Sequence, residues 1–200
     1  MKKILLASSN PGKVREIASI LADHDVEVLP QSALGITEAD ETGLTFIENA
    51  ILKARHAAKL SGLPAIADDS GLEVDALRGA PGVYSARFAG VGASDSENNV
   101  RLLRELDGVP LENRRARFRC VMVFLRSHED PCPIIAQGVW EGLILLQAQG
   151  EGGFGYDPLF YLPGLACTSA ELDAGEKNSL SHRGQALRAL AQQMGCIDGW

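Results

Sequence analysis

The feature of this sequence that most restricts its fold is a repeated change in the spacing of apolar residues. Lys3–Ala7 is a short apolar run, residues 8–12 are a polar turn cluster, and apolar residues then recur at helical spacing from Val14 to Leu21. A strand, a polar turn and an amphipathic helix in this order open an α/β unit. The sequence therefore predicts an α/β fold.

The same alternation continues along the chain. Capping boxes at Thr45 and Ser94 predict helices to about Leu60 and Leu106, and apolar spacing predicts a last helix from near Ser181. Residues 78–93 and 150–155 are predicted to be loops. The later strands follow one another without a helix, which predicts a mixed sheet. The predicted strands are Lys3–Ala7, Val26–Leu29, Ala65–Ala67, Glu73–Leu77, Arg115–Arg126, Ile134–Trp140 and Leu143–Leu146.

Composition excludes several classes of protein. An apolar fraction of 46% over 200 residues indicates one folded domain, 1–200, with room for two lobes. The net charge of −7, from 26 acids against 19 bases, argues against binding a nucleic acid polymer. The first apolar run is too short for a signal peptide, and no run reaches the roughly 20 residues of a membrane span. Four scattered cysteines fit a reducing, cytoplasmic location.

The turn before the first helix is a candidate anion site. Free backbone N–H groups at a helix N-terminus favour an anion, and the hydroxyl, amide and ammonium groups here would add donors. The spacing is not that of a Walker loop. An ordinary N-capping turn explains the same residues equally well. The candidate residues are Ser8, Ser9, Asn10, Pro11, Gly12 and Lys13.

Acidic residues at two places form a candidate metal site. Asp68-Asp69-Ser70-Gly71 follows an apolar strand, and adjacent carboxylates are easier to fold together if a cation offsets their repulsion. Oxygen ligands of this kind suit Mg²⁺, and one carboxylate could instead deprotonate a water. Asp40-Glu41 could complete the site, and Lys53 could face phosphate from the next helix. The alternatives are solvated acidic turns and a surface lysine.

Two further segments could contact a base. In Gly152–Pro158, glycines flank Phe154 and Tyr156, so that a ring could stack on a purine, and Asp157 could accept from its edge. A tight hairpin with core aromatics is the competing interpretation. Lys177 and Ser181-His182-Arg183 place cations where the dipole of the predicted last helix disfavours them. That conflict suggests a compensating ligand, although surface cations are the simpler alternative.

Taken together, these segments resemble the inosine/xanthosine triphosphatase family of non-canonical purine nucleoside triphosphate pyrophosphatases. The resemblance also runs through Glu41-Thr42-Gly43, the segment Phe46–Lys53 and Ala80–Arg87, and covers essentially the whole chain. It implies a central mixed sheet in an elongated two-lobed domain with an active-site cleft. It also implies a homodimer that hydrolyses ITP, dITP and XTP to the monophosphate and pyrophosphate.

The resemblance further implies a role for each candidate residue. Asp69 would be the catalytic proton acceptor, and Mg²⁺ would be held by Glu41 and Asp69 with help from Asp68 or Asp40. Many relatives have glycine where this chain has Ser9, and serine adopts a positive φ poorly, so the conformation of this loop could differ from theirs. A septum-type pyrophosphatase acting on pyrimidine or modified nucleotides, and a non-catalytic nucleotide sensor, are the alternatives. The implied substrate-binding residues are Ser8, Ser9, Asn10, Pro11, Gly12, Lys13, Lys53, Ser70, Phe154, Gly155, Tyr156, Asp157, Lys177, His182 and Arg183.

Overall fold

A computed structural model describes residues 2–21 and 26–195 of the chain. In this part, seven strands form one sheet and five α-helices accompany it. None of the described helices has the length and apolar character that a membrane crossing requires. The elements in chain order are β1 Lys2–Leu6, α1 Pro11–Leu21, β2 Val26–Pro30, α2 Phe46–Ser61, β3 Ala65–Val74, α3 Asp95–Glu105, β4 Arg115–Leu125, β5 Ile134–Ile144, β6 Phe160–Leu162, β7 Cys167–Thr168, α4 Ala174–Leu180 and α5 His182–Gly195.

The sheet has the strand order β2-β1-β3-β4-β5-β6-β7. β1 pairs in parallel with both β2 and β3, whereas β6 pairs antiparallel with β5 and with β7. The sheet is therefore mixed, and the predicted α/β class is confirmed.

The chain divides into two compact units. In the described part, unit 1 comprises residues 2–21, 26–69, 120–138 and 182–195, and unit 2 comprises residues 70–119 and 139–181. β3, β4 and β5 each contribute residues to both units. The cleft implied by the family resemblance stays a prediction.

Unit 1 has an apolar cluster on each side of its strands. Cys120, Met122 and Phe124 belong to one cluster with residues of α1 and α5, and Val121, Val123 and Leu125 belong to another with alanines of α2. This alternation shows that the far end of β4 is covered on both faces.

Unit 2 has one apolar core and one charged face. Leu72, Leu102, Phe118 and Phe160 belong to its core. On the other side of β4, Arg117 Nη2 lies 2.9 Å from Asp75 Oδ1 and its Nε lies 3.1 Å from Glu141 Oε1. Arg119 Nε lies 2.6 Å from Glu73 Oε2. The arginines on this face of β4 are therefore paired with acidic residues, which are Glu73 on β3, Glu141 on β5 and Asp75 directly after β3.

Two predicted strand ends are wrong. β3 does not stop at Ala67 but continues through the acidic pair to Val74, because both aspartates are buried and contacted by cations instead of solvated. β5 is one strand where two were predicted. A Cβ at Gly142 would lie 2.6 Å from the carbonyl oxygen of Tyr161, so this glycine allows close approach to β6 and does not mark a turn.

The C-terminal third contains elements that periodicity did not predict. β6 and β7 have only three and two residues, and α4 has seven, so none carries a readable apolar repeat. The segment 78–93, predicted as a loop, contains a 3-10 helix at Gly82–Arg87.

Candidate functional site

Unit 1 brings together a partly buried lysine, two carboxylates and an amide, here called the lysine cluster: Glu41, Asn49, Lys53 and Asp69. Lys53 Nζ lies 2.9 Å from Glu41 Oε1 and 2.9 Å from Asp69 Oδ1. Asn49 and Lys53 stand four residues apart on α2 and so share a face, while Asp69 comes from β3. The segment before α2 brings Glu41 to the same ammonium group.

The electrostatics of the lysine cluster favour a charged lysine beside a basic carboxylate. Burial alone would lower the pKa of Lys53, but the charges of Asp69, Asp68 and Glu41 outweigh it and raise this pKa above its ordinary value. Burial raises the pKa of Asp69, although Lys53 and Lys13 oppose that rise. Asp69 is therefore a stronger base than an exposed aspartate.

Asn49 connects the two carboxylate-bearing segments of the lysine cluster. Its side chain is completely buried. Its Oδ1 accepts the backbone N–H of Gly43 at 2.8 Å, and its Nδ2 donates to Asp69 Oδ2 at 3.2 Å. A Cβ at residue 43 would lie 2.7 Å from that Oδ1 and 2.6 Å from Glu48 Cβ. Glycine at position 43 therefore allows the segment of Glu41 to approach α2 this closely.

Asp68 has partners different from those of Asp69, as expected for neighbours on a strand. Its Oδ2 lies 3.1 Å from Lys13 Nζ and 3.5 Å from Arg183 Nε. Arg183 also donates from Nη1 to Glu16 on α1. Burial alone would lower the pKa of Arg183, but Asp68 and Glu16 raise it further above its ordinary value.

The candidate anion loop is organised by its own side chains. Ser8 Oγ accepts the N–H of Asn10 at 3.3 Å, and Asn10 Oδ1 accepts the N–H of Lys13 at 3.1 Å. Ser9 Oγ accepts from Gln31 Nε2 at 3.0 Å. Pro11 begins α1 and Gly12 is buried in its first turn. Within the described ranges the only non-glycine residues with positive φ are Arg78 and Ala166, so serine at position 9 is not strained.

The start of α5 corrects the dipole argument made from the sequence. Lys177 lies in the last turn of α4, where a helix dipole favours a cation, so the predicted conflict does not exist for it. Arg183 does lie in the first turn of α5, and carboxylates of the protein itself compensate it. His182, the first residue of α5, is buried. A Cβ at Gly138 would lie 2.0 Å from the carbonyl oxygen of His182, so this glycine lets β5 pass close to the helix start.

The lysine cluster also contains carboxylate oxygens of the kind that bind a magnesium ion. Proteins hold Mg²⁺ with one or two carboxylates, with phosphate and water completing the shell. Glu41 and Asp69 already face one positive charge, and they fit that description. Among the described residues no group of three or more His, Cys, Asp or Glu side chains could hold a metal ion. A metal role for Asp68 stays a prediction, since its observed contacts are to Lys13 and Arg183.

Unit 2 forms a second polar cluster around the glycine-rich loop. The Asp157 carboxylate is buried and accepts from the Phe154 N–H at 2.8 Å, from Lys177 Nζ at 2.6 Å and from Ser169 Oγ at 2.6 Å. Lys177 Nζ also lies 4.8 Å from the centroid of the Phe154 ring, a cation–π contact. A Cβ at Gly153 would lie 2.1 Å from Asp157 Oδ2, and its φ is +74°. Only glycine fits there.

The rest of this loop is held by α3 and by Ser85. Gly155 donates its N–H to Asp95 Oδ2 at 2.7 Å, and its carbonyl oxygen accepts from Asn99 Nδ2 at 2.8 Å. The Tyr156 hydroxyl donates to the Ser85 carbonyl oxygen at 2.8 Å, and Tyr156 is buried in unit 2. Its assigned role in substrate binding stays a prediction. Ser70, also assigned to the site from the sequence, follows Asp69 in β3 and is half-buried.

Sequence reasoning missed several polar residues of these clusters. Glu16 and Gln31 contact residues 167 and 22 positions away, so no local pattern could reveal them. Ser169 lies in a short 3-10 helix without a motif. Asn49 was not missed, because it lies in the segment Phe46–Lys53 that carries the family resemblance and stands one turn before Lys53 on the same helix face.

Comparison with known proteins places the chain in a family. A sequence model of the Ham1 family matches residues 4–193. The chain is 62% identical over 190 residues to the dITP/XTP pyrophosphatase of Pectobacterium atrosepticum, covering 95% of this chain and 96% of the relative. It is 60% identical to the enzyme of the same name from Vibrio parahaemolyticus, covering 97% of each. The solved Ham1 protein of Coxiella burnetii has 48% identity and a TM-score of 0.91, with 98% of this chain and 100% of that chain covered.

Proposed function

The chain belongs to the Ham1 family, and from this premise we propose that it is a nucleoside triphosphate pyrophosphatase that acts on ITP, dITP and XTP. The relatives that carry this activity in their names match it over nearly the full length of both chains. The observation that supports the chemistry most directly is the lysine cluster, in which a buried carboxylate of raised pKa contacts an ammonium group.

The proposed reaction breaks the α–β phosphoanhydride bond. Asp69 takes a proton from a water, whose oxygen forms the new bond to the α-phosphorus while pyrophosphate leaves with the electrons of the broken bond. A base works best when its pKa lies near the working pH, and the raised pKa of Asp69 moves it in that direction. Lys53 and Lys13, with the Ser8–Gly12 loop, hold the phosphates and stabilise the charge that develops on them.

We further propose that Glu41 and Asp69 hold a magnesium ion. When bound there, Mg²⁺ would neutralise phosphate charge and so lower the barrier to attack by water. We expect a metal chelator to abolish turnover and added Mg²⁺ to restore it.

We assign recognition of the base to residues that the family resemblance implies. Phe154 would stack on the purine, and Lys177 or Arg183 would donate to the 6-oxo group that hypoxanthine and xanthine share. Adenine presents an amino donor at that position, and sites built on hydrogen bonds reject such a mismatch strongly. His182 and Asp157 complete the proposed set. Asp157 would hold Lys177 and Phe154 in place by accepting hydrogen bonds from both, and it would also accept from the edge of the base.

The same proposal includes a homodimer, which rests on the family resemblance, and a cytoplasmic location, which rests on the four scattered cysteines. The alternative of a septum-type enzyme for pyrimidine nucleotides is not favoured, because the similar curated proteins are named as dITP/XTP pyrophosphatases.

A substrate panel tests the proposed function. ITP, dITP, XTP, ATP, GTP and the pyrimidine triphosphates are incubated with the protein and Mg²⁺, and pyrophosphate and orthophosphate are measured separately. We expect pyrophosphate release to be fastest with the first three. No pyrophosphate from ITP or XTP would overturn the assignment, and faster release from pyrimidine nucleotides would support the alternative.

Asp69→Asn tests the assigned base. The amide cannot accept the proton, so we expect turnover of ITP to fall by about 10²–10⁴-fold, the usual contribution of a positioned base. Circular dichroism should show a folded protein. A rate close to that of the unchanged chain would remove Asp69 from this role.

A further inference from the structure

Two helices of this protein begin with the same five-residue pattern. Thr45-Phe46-Ile47-Glu48-Asn49 opens α2, and Ser94-Asp95-Ser96-Glu97-Asn98 opens α3. In both, the first residue is the N-cap, and the glutamate completes a capping box. In both, the asparagine that follows is almost completely buried, with 0% of Asn49 and 3% of Asn98 exposed.

The two asparagines make the same first hydrogen bond. Asn49 Oδ1 accepts the N–H of Gly43 at 2.8 Å, and Asn98 Oδ1 accepts the N–H of Ala89 at 2.7 Å. Each therefore ties the segment before its helix to the first turn of that helix. We call this hydrogen bond the tether, because it holds the segment before the helix against the first turn of the helix. With this bond alone, an asparagine has only a structural role.

The second hydrogen bond separates them. Asn98 Nδ2 donates to the carbonyl oxygen of Ala86 at 3.2 Å, which is again backbone of the preceding segment. Asn49 Nδ2 donates at the same distance to a carboxylate oxygen of Asp69, on β3. Only Asn49 thus joins its preceding segment, which carries Glu41, to a carboxylate on another element.

We propose that Asn49 is a positioning residue for the reaction, and that it sets the placement of the Glu41 segment relative to the Asp69 carboxylate. The inference rests on the proposed function. The backbone N–H of Gly43 requires an acceptor and the Asp69 carboxylate requires a donor, so a neutral amide meets both needs in one orientation. The other Asp69 oxygen contacts Lys53, so both oxygens of this carboxylate are held from the same face of α2.

The test compares Asn49→Ala and Asn49→Asp with the matched controls Asn98→Ala and Asn98→Asp. Aspartate keeps the size of asparagine and the oxygen that accepts the loop N–H, but a negatively charged oxygen replaces the amide group that donates to Asp69. Each variant is assayed for pyrophosphate release from ITP at a temperature where circular dichroism shows it folded. Binding of Mn²⁺ to the free protein is followed by electron paramagnetic resonance as a readout independent of turnover.

We expect both Asn49 variants to lose about 10–100-fold in kcat with little change in KM, as is usual when a residue that orients a ligand is removed. We expect Asn49→Ala to weaken Mn²⁺ binding about 10-fold or more. The Asn98 variants should lose thermal stability but keep the kcat and Mn²⁺ affinity of the unchanged chain.

The outcomes separate the two proposals. If the unchanged chain releases no pyrophosphate from ITP, the proposed function fails and the inference fails with it. If the unchanged chain is active but the kcat of Asn49→Asp stays normal, the Asp69 contact has no positioning role. Equal losses of kcat in the Asn49 and Asn98 variants would also overturn the inference.

Discussion

The starts of α2 and α3 have the same local structure but different surroundings. Both have a capping box followed by a buried asparagine that accepts a backbone N–H. One turn further on, α2 has Lys53 in contact with two carboxylates, whereas α3 has Leu102 fully buried in the core of unit 2. The residue four positions after the asparagine therefore distinguishes a polar cluster from a core.

The two helices share the capping box and the asparagine hydrogen bond, and they differ in the charged residue that α2 has one turn later. The capping box and the asparagine hydrogen bond fix the beginning of a helix and the segment before it. They occur both beside a polar cluster, in α2, and beside an apolar core, in α3. A charged group one turn later needs partners from other elements, because a buried unpaired charge is costly. In α2 those partners are Glu41 and Asp69, which the tether through Asn49 also reaches.

Exchanging the two distinguishing residues should give the largest effects. Lys53→Leu removes the charge that Glu41 and Asp69 share, and we expect pyrophosphate release to fall by about 10²–10³-fold, as for loss of a donor that stabilises developing charge. Leu102→Lys places an ammonium group in an apolar core and should destabilise the protein by about 3–5 kcal/mol, as for a buried charge left without its partner. Steady-state kinetics and urea unfolding measure the two effects.

Leu102→Met is the control for this exchange, since it keeps the volume and apolar character of the site and should cost less than about 1.5 kcal/mol. A Lys53→Leu protein with normal turnover would show that the cluster is only structural. A stable Leu102→Lys protein would show that the α3 position can be polar, and the contrast between the helices would disappear.

The sequence predicted the local part of these two helices and missed the distant part. Thr45 and Ser94 were predicted as N-caps, and both capping boxes are observed. The capping pattern is written in consecutive residues, so it can be recognised without knowing the fold. The residue to which each asparagine donates cannot be recognised in this way, because Asp69 and Ala86 come into contact with it only once the chain has folded.

The same reason explains the other differences between prediction and structure. Gly142 was predicted to separate two strands, but its lack of a side chain serves a contact with Tyr161 inside one strand. Arg183 was predicted to need a ligand at its helix start, but Glu16 on α1 supplies the opposite charge. The acidic pair at Asp68 and Asp69 was predicted to need a cation that offsets its repulsion, and in the structure Lys13 and Lys53 contact these carboxylates. The predicted magnesium site at this pair stays a prediction.

A smaller effect is expected from the residues that donate the tethering N–H. Gly43→Ala would place a Cβ within 2.7 Å of the Asn49 oxygen, and the neighbouring Glu48 Cβ cannot move aside as a flexible chain end could. We expect a loss of about 1–3 kcal/mol in the free energy of unfolding, the usual cost of overpacking. In α3 the donor Ala89 already carries a Cβ, so Ala89→Gly should cost only about 0.5–1 kcal/mol. Equal costs at the two positions would contradict the close approach.

The smallest effect is a difference between the two capping glutamates, and pH reveals it. The pKa of Glu48 lies below 4.5 because its carboxylate accepts from the Thr45 side chain and from the N–H groups of Thr45 and Leu44. The pKa of Glu97 is lowered by the N–H and then the hydroxyl of Ser94. A lowered folded-state pKa means that each cap is fully stabilising above the ordinary pKa and is lost as pH falls through the folded value.

Because Glu48 accepts from one more donor than Glu97, we expect it to titrate at the lower pH of the two. Carbon-13 NMR of the side-chain carboxyl groups measures both values in one experiment. The buried asparagines do not titrate, so acid should weaken the caps of α2 and α3 while leaving both tethers in place. A Glu97 pKa below that of Glu48, or either value at 4.5 or above, would show that the two caps differ in a way that their hydrogen bonds do not explain.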